Sequence, residues 1–473
     1  MSYVSIHFAA MTAALFFLYY FMPKRFQPYL LLAGSLYFYY RCSGILLIIM
    51  VAASVCAYLF GRLLYTNATA PYTEYLLYIC NLILIVPLIF LKYIHVVSIG
   101  IPVGISFYTL QLIAYCCDIY HGKCEPETNF FHFLLFTSFF PQILQGPIPR
   151  YQVLKTTMFI PHEYEKATVT TGFSKILTGL LLKFLIADKA GVLVDTVFNS
   201  NELMPGCAYA LAGIFYSFQL YADFLSCVCL AQGISLLFGI QLGENFKQPY
   251  CATSVKDFWH RWHMSLSTWL RDYIYIPLGG SRKGSFFTNL NILITFLISG
   301  IWHGVGLQYM FWGLLHGCYQ IIGKYTCTLR NHLFTCIKCS KQIREMSQQF
   351  FTYILITIAW IIFRANSLTD GLFAVYSIIF RFDLSSFITQ IYNDANVTFY
   401  GLALPEFILL ILCILCLLIH DCRKNKGLTY NNLLISQNSI QQCIVAICIL
   451  LFIAIFGTYG FGYDARTFIY GGF

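Results

Sequence analysis

Apolar runs separated by short polar stretches make up most of this chain. They fall near 3–22, 28–40, 44–64, 75–91, 100–118, 128–147, 172–188, 207–240, 286–306, 307–327, 350–369, 404–420 and 441–460. A helix needs roughly 20 apolar residues to cross a bilayer, and it satisfies its own backbone there. Several runs are shorter than that or contain Gly and Pro. Fewer full crossings than segments are therefore expected, with some pieces re-entering from one side. The expected fold is all-α, a polytopic integral membrane protein of about 11–13 membrane-embedded segments in a single domain over 1–473. No internal repeat stands out, which weakens the case for a transporter built from inverted repeats.

Composition supports this pattern. Of the 473 residues, 59% are hydrophobic and 10% charged, too little polar surface for a soluble domain of this size. The N-terminal stretch "MSYVSIHFAAMTAALFFLYYFMPKRF" has neither a basic start nor a small-residue cleavage site, so it is expected to be the first span. The formal charge of +9 lies mostly in loops and predicts a cytoplasmic collar facing lipid headgroups, not a nucleic-acid surface. Most of the 19 cysteines sit in apolar runs such as "LCILCLL" and "FLSCVCL". There they behave as small hydrophobes, and a disulfide framework is not expected.

Basic residues orient the second half. Lys247, Lys256, Arg261, Arg271, Arg282 and Lys283 outnumber the acids of 241–285, and 328–349 and 421–440 are also basic. All three stretches are expected on the cytoplasmic side, which leaves the tail 461–473 on the outer face. Lys24–Arg25 and Arg41 vote for opposite sides, so the N-terminus has no assigned side.

The chemistry concentrates in 244–327. "SGIWHG" (299–304) ends an apolar run with His303 among Gly300, Gly304 and Gly306. An imidazole at membrane depth needs a partner or a task. Neutral imidazole, with an ordinary pKa of roughly 6.5, accepts a proton from a hydroxyl near neutral pH. The glycines allow the backbone to unwind or another group to come close; a structural histidine closing a broken helix fits the same residues. Upstream, "KDFWHRWHMSLSTWLRDY" (256–273) mixes Trp259, Trp262 and Trp269 with His260, Arg261, Arg271 and Asp272. Such a mixture suits a helix lying in the membrane interface. His263 is set apart because helical spacing places it with Trp259 and His260 and it opens a stretch with few charges. Asp223, in "YADFLS", needs a pairing partner or a functional proton. Cys327, His332, Cys336 and Cys339 form a weak zinc signal, and no metal is expected. No Walker A loop, Gly-x-Gly-x-x-Gly or Gly-x-Ser-x-Gly elbow is present. Two classes stay open: an enzyme passing a group across the membrane, and a proton-coupled transporter or flippase with His303 and Asp223 as relay.

Several stretches, in order along the chain, resemble the membrane-bound O-acyltransferase family, in its alginate O-acetyltransferase-like branch. They are "PVGISFYTLQ" (102–111), "FFPQILQGPIPR" (139–150), "KFLIADKAGVLVDTVF" (183–198) and "ENFKQPYCATSVKDFWHRWHMSLSTWLRDYIYIPLGG" (244–280). "SGIWHG", "WGLLHG", "WIIFRANS" (360–367) and the tail "FIY" (468–470) continue the series. The resemblance implies a helical fold around a central tunnel, with His303 as the catalytic histidine and His263 as a second active-site histidine. Asp223, Trp302, Arg271 and Asp272 would support them. It implies acetyl-CoA as the cytoplasmic donor, no metal, and a bacterial inner-membrane location. It also implies a periplasmic or extracellular transferase as partner and an alginate-, peptidoglycan- or cellulose-type polysaccharide as acceptor. Cys227 and Cys229 depart from the family's Tyr and Asp, and Val305, Gly306 and Leu307 replace its small-polar-aromatic trio. In the outward tail, Tyr470 is a candidate acyl relay or docking point; an aromatic anchor at the interface fits it equally well.

Overall fold

The computed structural model describes residues 3–93, 100–200, 202–385, 388–389, 398–428 and 438–458. The chain opens with α1 (Ile6–Phe21), α2 (Gln27–Ser43), α3 (Leu47–Thr66), α4 (Thr73–Tyr93), α5 (Ile105–Tyr120) and α6 (Phe130–Ser138). Next come α7 (Tyr151–Met158), α8 (Lys166–Leu181), α9 (Asp188–Phe198) and α10 (Gly206–Leu237). The short pair α11 (Val255–Arg261) and α12 (Met264–Leu270) precedes α13 (Gly284–His303) and α14 (Leu307–Tyr325). The chain continues through α15 (Cys327–Cys336), α16 (Lys341–Arg364), α17 (Leu368–Phe380), α18 (Leu404–Asn425) and α19 (Ser439–Phe456). The all-α expectation holds, and the described strand pairing is one two-residue hairpin, Thr398–Phe399 with Leu402–Ala403.

Among the described residues, seven helical stretches are long and apolar enough to cross a membrane. The apolar runs also build shorter interior helices. In α5, 16 residues long, every side chain from Ile105 to Ile119 is buried, as suits a helix surrounded by protein. The 32-residue α10 is the central pillar; it is buried along most of its length and packs against α8, α9, α16 and α17. By contrast α19 buries only Ile453 and shows its other side chains to the surroundings.

One expected span is corrected and one unexpected apolar helix is added. The run 128–147 is not a span. Its helix lasts nine residues, Phe130–Ser138, and the chain then turns through Pro141, Gly146, Pro147 and Pro149, which cannot continue a helix. The irregular stretch is enclosed by protein, as such backbone must be in a membrane. Tyr3 donates to the carbonyls of Phe140 and Pro141, at 3.1 and 2.9 Å, and Ser35 Oγ accepts from Phe140 N. The added helix is α17, 13 residues long and apolar, absent from the expected segments.

Helices α13 and α14 meet at glycines. A Cβ on Gly300 would lie 2.3 Å from the Tyr309 carbonyl oxygen, and one on Gly313 2.2 Å from that of Phe296. Small residues at these positions let the backbones touch. Gly313→Ala is expected to destabilise the fold by about 1–3 kcal/mol through overpacking. Thermal unfolding in detergent should show a lowered Tm. Gly323→Ala, with nothing within 4 Å of its Cβ position, should leave the Tm unchanged or raise it, because alanine is the better helix former.

Candidate active site

His303 is the last residue of α13 and only 2% exposed. The glycine before it does not unwind the helix, since Gly300 lies inside an intact turn that presses on α14; the glycine after it, Gly304, ends the helix in extended conformation. Aromatic rings wall the imidazole. Trp302, Trp312 and Phe363 have ring centroids 4.9, 5.1 and 5.5 Å from it. The end of the helix is gripped from α4, where Lys92 Nζ donates to the Trp302 carbonyl at 2.6 Å and Tyr93 donates to that of Ile301.

His263 reaches the same place from another element. It occupies the left-handed region, with φ 42° and ψ 53°, between α11 and α12. A non-glycine residue there is strained and must be held by its surroundings. Asn245 holds this one: its carbonyl accepts Met264 N at 3.0 Å and its Oδ1 accepts Ser265 N at 3.0 Å. The kink ends the helix at Arg261, so the single helical face expected for Trp259, His260 and His263 does not exist. His260 is exposed, whereas His263 is 1% exposed and packs on Phe224 at 4.7 Å and on Trp302 at 6.2 Å. Trp302 thus packs against both imidazoles.

The flat interface helix is also corrected. Helix α13 is roughly 30 Å long at 1.5 Å per residue, and Trp302 lies at the end far from Gly284. For His263 to touch Trp302, the segment around 255–263 must enter the bundle. Trp259 and Trp269 are buried, and their indole N–H groups donate to His316 Nδ1 at 3.2 Å and to the Leu110 carbonyl at 2.8 Å. Buried indoles require such partners, so these rings belong to the core, not to a lipid headgroup layer. Segment 255–270 joins two apolar clusters: Trp259 and Trp262 pack into one with α10 and α16, Leu266 and Trp269 into the other with α5.

The remaining candidates divide by location. Asp223 has its pairing partner in Lys183, whose Nζ lies 2.9 Å from Asp223 Oδ1 and 2.9 Å from Asp188 Oδ1, all three almost fully buried. Lys183 projects from a π-helical turn, Leu182–Ala187, an interruption of the kind common where a side chain must be re-aimed. Asp272 lies at the rim, bridging Arg150 at 3.1 Å and Arg271 at 2.8 Å, while the Arg150 guanidinium stacks on Tyr273 at 4.4 Å. The stretch expected as a Cys- and His-bearing loop is mostly helix α15, where Cys336 Sγ lies one turn along and 3.4 Å from His332 Nε2, and among the described residues no group of three or more potential ligands is assembled. Tyr470 and the tail 461–473 lie outside the described residues.

Residue-by-residue reading missed His316 and Lys92. His316 is fully buried beside Trp312, with ring centroids 4.9 Å apart. The indole of Trp259 donates to Nδ1, which leaves the proton of a neutral ring on Nε2. Within "WGLLHG" the signal was a second histidine followed by glycine. Lys92 closes an apolar run, where a lysine reads as an interfacial anchor; no local pattern points to its contact 210 positions along the chain.

The site therefore offers two buried imidazoles that share one indole as neighbour, suited to accepting a proton and to donating a hydrogen bond away from bulk water. Lys183→Met is expected to destabilise the protein strongly, by about 3–5 kcal/mol, because it leaves buried carboxylates without their cation. The folded fraction in size-exclusion chromatography should fall sharply. It should recover when Asp188→Asn and Asp223→Asn are added.

A model of the membrane-bound O-acyltransferase family matches residues 127–367. The chain is 37% identical over 269 residues to a probable alginate O-acetylase of Pseudomonas putida, covering 57% of this chain and 53% of that one. A probable alginate O-acetylase of Azotobacter vinelandii is 32% identical over 387 residues, covering 77% and 75%. The peptidoglycan O-acetyltransferase of Helicobacter pylori is 31% identical over 385 residues, covering 73% and 70%. The chain spans about half the length of the first of these relatives and about three quarters or slightly less of the other two.

Proposed function

We infer that this chain, which belongs to the membrane-bound O-acyltransferase family, moves an acyl group from an activated thioester across the membrane for O-acetylation of a cell-envelope or exported polysaccharide. It is a multi-pass membrane protein, and we place it in a bacterial inner membrane with its C-terminus outside. The donor is acetyl-CoA from the cytoplasm. The acceptor is of the alginate, peptidoglycan or cellulose type, and a periplasmic or extracellular transferase completes delivery. The meeting of His303 and His263 at Trp302, inside a ring-walled space entered by the α11–α12 segment, carries this reading.

A thioester carbonyl is already electrophilic, so no strong protein nucleophile is required. The acceptor hydroxyl attacks the carbonyl carbon as His303 takes its proton, which gives a tetrahedral oxyanion. His263 donates to that oxygen. Collapse breaks the carbon–sulfur bond, and the departing thiolate takes the proton back from His303, leaving ester and free thiol. Trp302, Trp312 and Phe363 keep water out, which protects the thioester from hydrolysis. The basic 241–285 and 328–349 stretches suit a cytoplasmic approach for an anionic donor. Tyr470, on the outward tail, is the candidate to carry acetyl onward or to dock the partner.

The competing proton relay needed Asp223 as a group able to exchange protons with His303. The ion pair of Asp223 with Lys183 gives that carboxylate a structural reason to be there and favours transfer over transport.

Purified protein in lipid, given acetyl-CoA labelled on the acetyl group, is expected to release CoA slowly without acceptor. His303→Ala should abolish release and His263→Ala should reduce it. Equal release by wild type and His303→Ala, or none even with partner and glycan present, would overturn the reading. Removing the last six residues should abolish glycan acetylation while leaving protein abundance unchanged; unaltered acetylation would eliminate any role for Tyr470.

A further inference from the structure

We propose that Lys92 is the positioning residue for His303: by gripping the final carbonyls of α13 it sets where the imidazole stands. The inference rests on the acyl-transfer reading above and adds to it a residue that the sequence patterns did not single out.

The geometry is specific. The last carbonyls of a helix have no partner within it. A glycine in the left-handed region commonly curls the chain back to cap them. Gly304 closes the last bond of α13, its N–H lying 3.4 Å from the Gly300 carbonyl, but it is extended, with φ −173° and ψ 169°, so the chain runs on toward α14 and does not curl back over the remaining carbonyls. The caps come from α4. Tyr93 donates to the carbonyl of Ile301, and Lys92 Nζ donates to that of Trp302 at 2.6 Å and lies 3.5 Å from that of His303. Three consecutive carbonyls, ending at the catalytic position, are thus held by two adjacent side chains.

Lys92 is only 5% exposed, and among the described residues no carboxylate lies within ion-pair distance of it. Burying an ammonium group without a counter-ion is costly, and the negative end of a helix dipole offsets only part of that cost. The same ammonium lies 5.9 Å from the centroid of the Trp302 ring. One lysine therefore holds the backbone and lies beside the indole of the residue that packs against both histidines. A structural cap alone does not require a cation here. A site in which an oxyanion develops gains from a fixed positive charge nearby.

The experiment uses the full-length protein in lipid with acetyl-CoA labelled on the acetyl group. Lys92→Met, Lys92→Arg and His303→Ala are compared with wild type, with turnover expressed per folded molecule. Misplacing a reacting group by about 1 Å costs on the order of 100-fold, so Lys92→Met is expected to lose about that much in kcat with KM for acetyl-CoA little changed. Lys92→Arg, which keeps charge and donors, should recover much of the loss. A merely structural lysine would lower the Tm and the folded yield but leave kcat per folded molecule intact. Wild-type kcat in Lys92→Met, a loss confined to KM, or an arginine variant as inactive as the methionine one would overturn the inference while His303→Ala stays inactive. Wild-type turnover by His303→Ala would overturn the acyl-transfer reading itself, and this inference with it. If Lys92→Met does not fold, Lys92→Gln, which keeps a donor without the charge, is judged by the same criteria.

Discussion

A helix end enclosed by protein leaves carbonyls that water cannot reach, and the candidate site is built around one such end. Helix α13 stops at His303, and its last three carbonyls accept hydrogen bonds from Tyr93 and Lys92 of α4. Without those donors the end would be a set of unsatisfied acceptors, each costing about 1–3 kcal/mol when buried. With them, the final turn is held, and with it the histidine and the indole beside it. The N-terminal helices are therefore part of the site although they contribute neither imidazole.

A second constraint acts on the other histidine. Its left-handed backbone costs roughly 1–2 kcal/mol and turns the chain sharply between two short helices. Asn245 compensates by accepting two backbone N–H groups just past the kink. The kink carries segment 255–270 into the bundle, where its tryptophans donate to His316 and Leu110 and its flanks join two apolar clusters. An aromatic-rich basic stretch that looks like a surface helix becomes the element that joins the halves of the core. Close contact of α13 and α14 at Gly300 and Gly313 then leaves Trp312 beside His303.

Much of this was legible beforehand. Periodic apolar runs identify the membrane helices because lipid admits few other structures, and their boundaries fall within a few residues of those found for most helices. The histidine of "SGIWHG" and the second one of "HRWHMSLS" stood out because an imidazole in an apolar run is expensive. Legibility failed where the deciding contact was distant in sequence. The run 128–147 looked like a span because its hydrophobicity was counted without its prolines. Trp259 and Trp269 looked interfacial because tryptophan suits an interface as well as a core, and only their acceptors distinguish the two.

By itself, the sequence determined the class of fold and the family, and it singled out the two histidines as candidates, since each follows from local hydrophobicity or from short ordered motifs. Tertiary structure alone decided the pairing of Asp223 with Lys183, the burial of Trp259 against His316, the placement of His263 at Trp302, and the grip of Lys92 on α13. The physical reason is the same throughout. A polar group inside a membrane protein must find a partner, and the amino-acid sequence shows that need while only the packed helices supply the group that meets it.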